Sequence, residues 1–281
     1  MKQPEILVVL VLCFVALGRQ LAAEQSGGAQ PPGLFDALVD TAVKTAKQVD
    51  QIGLEATRMT DAEESALGAA IDKEVLRHTP AVDDAAMQRR VATLAAPLFE
   101  QRRRRAINYT VRILDSGVVN AYSIAGGYVY LTKAFLKEFP SDAAVVMALG
   151  HEMGHVDLRH CVEKVQYQAA GRPIAGDWAV LAQAAYGTLR SAYTKDQEFD
   201  ADKHGFEAAC RAGWKPSELL DFIRGLAAYE QRQNQSSAVG ETDQGQSGLG
   251  KKLAEYLATH PATPERVHKL EALAASRPTK S

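Results

Sequence analysis

Apolar residues recur at three and four positions through "LFDALVDTAVKTAKQV" (34–49), "MTDAEESALGAAIDKEVLRH" (59–78) and "DDAAMQRRVATLAAPLFEQ" (83–101), the spacing of amphipathic helices. Thr60 lies three residues before Glu63, a capping-box pattern that sets a helix start. The period then shortens. "INYTVRILDS" and "GGYVYLT" alternate in polarity and are rich in β-branched and aromatic residues, so they predict strands, joined through "GVVNAYSIA". Helical spacing returns in "SDAAVVMALGHEMGHVDLRHCVEKVQ" (141–166), with Ser141 as cap and Ala144, Val145, Ala148 and Leu149 as its buried face. Further helices are expected at about 177–190, 195–212, 216–232, 250–259 and 263–275. The stretch "RQNQSSAVGETDQGQSG" is polar and rich in Gly and Ser, which predicts a mobile surface loop over about 233–249. The sum is a mainly α (α+β) domain over 34–281. Its N-terminal helices span 34–105, and its sheet and core span 106–275.

The first residues follow a different pattern. A positive start at Lys2, the apolar run "ILVVLVLCFVAL" and small residues after it predict a signal peptide over 1–23, followed by a Gly, Pro and Gln-rich linker over 24–33. The run is short for a bilayer span, which needs about 20 apolar residues. The alternative is an uncleaved N-terminal segment that anchors the chain to a membrane. Leu12 before Cys13 argues against lipidation there.

With 46% hydrophobic and 23% charged residues the chain lies in the ordinary globular range, and a net charge of -2 gives no field that would draw nucleic acid. The run Arg102–Arg105 reads as a solvated helix end. Removal of the signal leaves Cys161 and Cys210, which are either one disulfide or two separate buried thiols.

The chemistry concentrates in "HEMGH". On a helix, His151 and His155 at i and i+4 project from one face and can grip one ion, while Glu152 stands beside it, placed to take a proton from water. One class of zinc proteases takes a third histidine ten residues after the first, preceded by a glycine seven after. Those positions are Cys161 and Leu158 here, which excludes it. His160, about 180° round a continuous helix from His151, reads as a solvated or helix-end histidine. A carboxylate from another helix is the other common ligand. "YTKDQEFDADKHG" offers Glu198 and Asp202 at i and i+4; the residues alone allow either a ligand with an orienting partner or an exposed acidic face with Asp196 and Asp200.

Together "VNAYSIAGGYVYLT", "LGHEMGHVDLRH", "YTKDQEFDADKHG" and "THPATPERVHKL", in that order over roughly 60–275, resemble metallopeptidase family 48, the group of the prenyl-protein protease, HtpX and Oma-type enzymes. The resemblance is to its soluble periplasmic and mitochondrial branch. It implies a gluzincin-like fold and one zinc ion per chain on His151, His155 and Glu198. It further implies Glu152 as general base, Asp202 orienting a ligating histidine, and His260 near the metal, either stabilising the oxyanion or capping the zinc at rest. Asn120 fits a substrate contact or a simple turn asparagine. The family has proline before the paired glycines where this chain has Ala125. Substrate is expected as an extended strand along "GGYVYLT", with Gly126 and Gly127 allowing close backbone approach. The implied function is an exported, periplasmic zinc endopeptidase acting on unfolded or membrane-associated proteins, in quality control of misassembled envelope proteins. Peripheral membrane association is compatible with that role. The competing reading is a zinc-binding, chaperone-like or adaptor protein with little or no proteolysis.

Overall fold

A capping box opens the first helix of the computed structural model, which describes residues 58–169, 182, 183, 186, 192–238 and 256–276. Thr60 Oγ1 accepts the Glu63 backbone N–H at 3.2 Å and Glu63 Oε2 accepts that of Thr60 at 2.8 Å. This starts α1 (Asp61–His78), which buries Leu67, Ile71 and Val75. Helix α2 (Ala85–Phe99) starts at Asp84, whose side chain accepts from Ala86 and Met87. The described residues from Met59 onward belong to one unit.

Three strands follow: β1 (Thr110–Leu114), β2 (Ala121–Ile124) and β3 (Tyr128–Thr132). Their order is β1-β3-β2, with β1 parallel and β2 antiparallel to β3. The sequence pattern missed β2, taking it as a connection, because four residues are too few for polarity to alternate convincingly. The consequence is a correction: "GGYVYLT" forms the central strand, paired on both sides, and cannot be the edge that takes a substrate strand. The paired glycines between β2 and β3 have φ of 80° and 88°. A Cβ on Gly126 would meet Glu64 O at 2.9 Å and one on Gly127 would meet Asn108 O at 2.5 Å. The close approach they permit is thus filled by the protein's own backbone rather than by substrate.

A short α3 (Lys133–Glu138) leads to α4 (Asp142–Asp157), capped by Ser141, whose side chain accepts from Ala144 at 3.2 Å. Every residue of α4 from Ala144 to Asp157 is buried. The expected single helix over 141–166 is broken: Arg159 takes φ 67°, and α5 (His160–Ala169) leaves in a new direction. Long-range contacts impose this break, since the Arg159 guanidinium donates to Met59 O at 2.7 Å and pairs with Glu64 on α1. Helices α6 (Lys195–Arg211), α7 (Pro216–Ala238) and α8 (Pro264–Ala275) complete the described elements, with a helical turn at Tyr256–Thr259. α7 runs through Ala238, so the first part of the expected loop over 233–249 is helix. The calls on the signal, the linker, residues 34–49 and most of 177–190 and 250–255 lie outside the described residues.

The crossing of α4 and α6 positions the site. A Cβ on Gly205 would lie 2.3 Å from Gly150 C, and one on Gly154 would lie 2.7 Å from Ala201 O. Only residues this small let the two backbones touch, which brings the polar faces of both helices within one side-chain length. Around the crossing, Met147, Leu149, Phe206, Leu219 and Ile223 join Val129, Leu131 and Phe135 in the main core. Among the described residues no helix is long and apolar enough to cross a membrane.

Candidate metal centre

His151, Glu152 and His155 project from α4, and Glu198 and Asp202 from α6 just after its Thr194–Gln197 capping box. His260 follows the Tyr256–Thr259 turn, its N–H bonded to Tyr256 O at 2.8 Å. The ligand atoms of His151, His155, Glu198 and His260 all lie within 4.8 Å of one another. His155 Nε2 and His260 Nδ1 are each 3.1 Å from His151 Nε2, and Glu198 Oε1 is 3.0 Å from His260 Nδ1 and 3.4 Å from His155 Nε2. All four residues are 0 to 3% exposed.

The outer nitrogens fix what the inner ones can do. Asp202 Oδ1 accepts from His151 Nδ1 at 2.8 Å, which leaves the Nε2 of the neutral ring as a lone pair. His155 Nδ1 is 3.0 Å from His160 Nδ1. Imidazole nitrogens and a carboxylate converge on one spot, the donor set of a divalent zinc site. Burial disfavours the Glu198 charge, yet the imidazoles of His260 and His151 hold its carboxyl well below the usual range. Burial lowers the His151 pKa, but Glu198 and Asp202 outweigh it and the net shift is upward. Burial, with His151 and His260 nearby, pushes His155 well below its usual value. Residues and group fit: three imidazoles and one carboxylate suit zinc in kind and number.

Glu152 is wholly buried beside this cluster. Its Oε2 accepts from Ser123 Oγ at 2.7 Å, while Oε1 has no hydrogen bond among the described residues and lies 3.4 Å from His260 Nε2. Asn120 precedes β2, with its backbone tied to Thr132 and its buried Oδ1 without a hydrogen bond among the described residues. On α6 both readings of the acidic stretch hold for different residues: Glu198 and Asp202 are buried, Asp196 and Asp200 exposed.

Several neighbours escaped the sequence reading. Arg266 of α8 donates to both Asp202 oxygens at 2.6 and 2.7 Å, pairs with Glu198 Oε2 at 2.7 Å, and donates to Pro261 O at 2.6 Å. Nothing in its spacing from the motif could have announced it. The Tyr193 ring stacks on His155, centroids 3.7 Å apart. His160, expected as a solvated or helix-end histidine, is the first residue of α5 but is not solvated: it is buried against His155, because the break at Arg159 turns it inward. Burial lowers its pKa to about 4. Arg104 corrects the reading of the arginine run: it is bound to Glu64 at 2.6 Å and also to Asp61, while Arg103 and Arg105 are exposed. Cys161 and Cys210 are separate free thiols; Cys161 is buried and Cys210 half-buried.

Comparison with known proteins agrees with this geometry. Peptidase family M48 matches residues 81–274. A beta-barrel assembly-enhancing protease of Yersinia pestis is 22% identical over 86% of the chain and 49% of its own length. The mitochondrial metalloendopeptidase OMA1 of Saccharomyces cerevisiae is 25% identical over 54% of the chain and 42% of its own. The metalloprotease LoiP of Escherichia coli is 27% identical over 53% of the chain and 62% of its own. The chain thus spans about half the length of the curated relatives it matches. With the family matching over most of its length, the chain belongs to peptidase family M48, a family of zinc metalloendopeptidases.

Proposed function

We propose that this chain is an exported zinc endopeptidase that cleaves unfolded or misassembled envelope proteins. The observation that carries the reading is the division of labour on α4. His151 and His155 aim ring nitrogens at one point with Glu198, while Glu152, one residue away, keeps Oε1 free of hydrogen bonds among the described residues. A site built only to hold an ion has no use for a buried carboxylate oxygen left open beside it.

His151, His155 and Glu198 would hold the zinc, with Asp202 orienting His151. Zinc there supplies Lewis acidity, which polarises the scissile carbonyl and lowers the pKa of the attacking water. Glu152 Oε1 takes the proton of that water and passes it to the leaving amine. His260, whose Nδ1 stands among the ligand atoms, would be a fourth donor at rest and would leave that place to admit a peptide. Substrate lies along β2, an edge strand whose Ser123 touches Glu152. A small cavity runs beside it, lined by Tyr122, Ile124, Lys164, Val165 and Tyr193.

Export is supported by the pattern of residues 1–23, and an envelope role by the name of the Yersinia relative, a beta-barrel assembly-enhancing protease. The test is Glu152→Gln measured beside the parent chain for zinc content and casein cleavage, with and without a chelator. The variant keeps its zinc and loses cleavage by about 1,000-fold or more, and chelation silences the parent. Undiminished cleavage by Glu152→Gln removes the protease reading.

A further inference from the structure

We propose that Ser123 is a positioning residue for Glu152, an inference that rests on Glu152 being the general base. The two are 29 residues apart in sequence and meet because β2 runs beside α4. Ser123 Oγ donates to Glu152 Oε2 at 2.7 Å, with both side chains buried. A carboxylate side chain turns about its last bond at little cost, so an unheld Glu152 would present either oxygen or neither. The Ser123 bond occupies Oε2, and Oε1 is the oxygen left for water.

The surroundings fix the direction of that bond. An ionised carboxylate only accepts, so the single hydroxyl proton of Ser123 goes to Glu152 and its oxygen is left to accept. Cys161 Sγ lies 3.4 Å from Ser123 Oγ and 3.4 Å from Tyr193 Oη. Burial pushes the Cys161 thiol up to about 11, which keeps it protonated. The order that gives every group a partner is Tyr193 O–H to Cys161 Sγ, Cys161 S–H to Ser123 Oγ, and Ser123 O–H to Glu152 Oε2. The same Tyr193 ring stacks on His155. One chain of side chains thus ties the general base to a histidine of the metal cluster.

The experiment compares Ser123→Ala and Ser123→Thr with the parent chain and with Glu152→Gln, reading kcat and KM on an unfolded peptide, zinc content and thermal midpoint. Ser123→Ala lowers kcat about tenfold with KM and zinc content unchanged, since the variant loses one charge-assisted hydrogen bond from a hydroxyl turned to Glu152 and keeps the β2 backbone along which the peptide lies. Ser123→Thr, which restores the hydroxyl, recovers most of kcat. If Ser123→Ala keeps the parent kcat, or if the threonine variant falls as far as the alanine one, the positioning role is overturned. If Glu152→Gln itself stays active, the general-base reading fails first, and the two failures are told apart.

Discussion

Two networks of buried charge flank α4, and they are built for opposite ends. On one side Arg104 and Arg159 enclose Glu64: Arg104 holds both of its oxygens, and Gly126 N–H adds a further bond at 3.3 Å. Every acceptor there is closed by a donor within the protein. On the other side Arg266 closes the outer edge of Asp202 and Glu198, while the Nε2 atoms of His151 and His155 lie 3.1 Å apart and within 3.5 Å of the Glu198 carboxylate. Glu64 and Glu198 are about equally buried, at 0 and 2% exposed, so burial does not distinguish them. The difference lies in where donors and acceptors point. A satisfied network ties elements together; convergent lone pairs ask for a cation.

Substitutions that separate the two networks rank by expected effect. Gly205→Val is the most damaging, because even a Cβ there would lie 2.3 Å from Gly150 C. Forcing the backbones of α4 and α6 apart costs more than about 4 kcal/mol and leaves too little folded protein to bind zinc, as circular dichroism and metal analysis would show. Arg104→Ala opens the closed network and leaves Glu64 with weaker partners. It lowers unfolding free energy in urea by about 3 kcal/mol while zinc stays at one per chain. Asp202→Asn removes the charge behind His151 and weakens zinc affinity about 10- to 100-fold in a chelator competition. Asp200→Asn, two residues away on the exposed side of α6, changes neither affinity nor stability by more than about 0.5 kcal/mol.

The contrast also marks what sequence could convey. The Thr60–Glu63 box, the Ser141 cap and the i, i+4 pairs on α4 and α6 are local, and each stands where its spacing put it. Which acidic residues of α6 turn inward was open until a partner helix was known. Gly150, Gly154, Ala201 and Gly205 decide that, and their spacing of four on both helices was a signal that could have been read. The break at Arg159 and the inward turn of His160 were not legible, because contacts to Met59 and Glu64, about a hundred residues earlier, impose a backbone angle arginine does not choose alone. Strand β2 owes its existence to pairing with β3, and α7 continues through residues whose composition read as loop.

The claim that two crossing helices offer three side chains to one ion is tested most directly by the zinc content of purified Glu198→Ala against the parent chain, by elemental analysis after dialysis. The parent holds one zinc per chain and the variant loses most of it at the same folded fraction. A variant that retains one full equivalent would show that Glu198 is not a ligand and that α6 does not contribute to the centre.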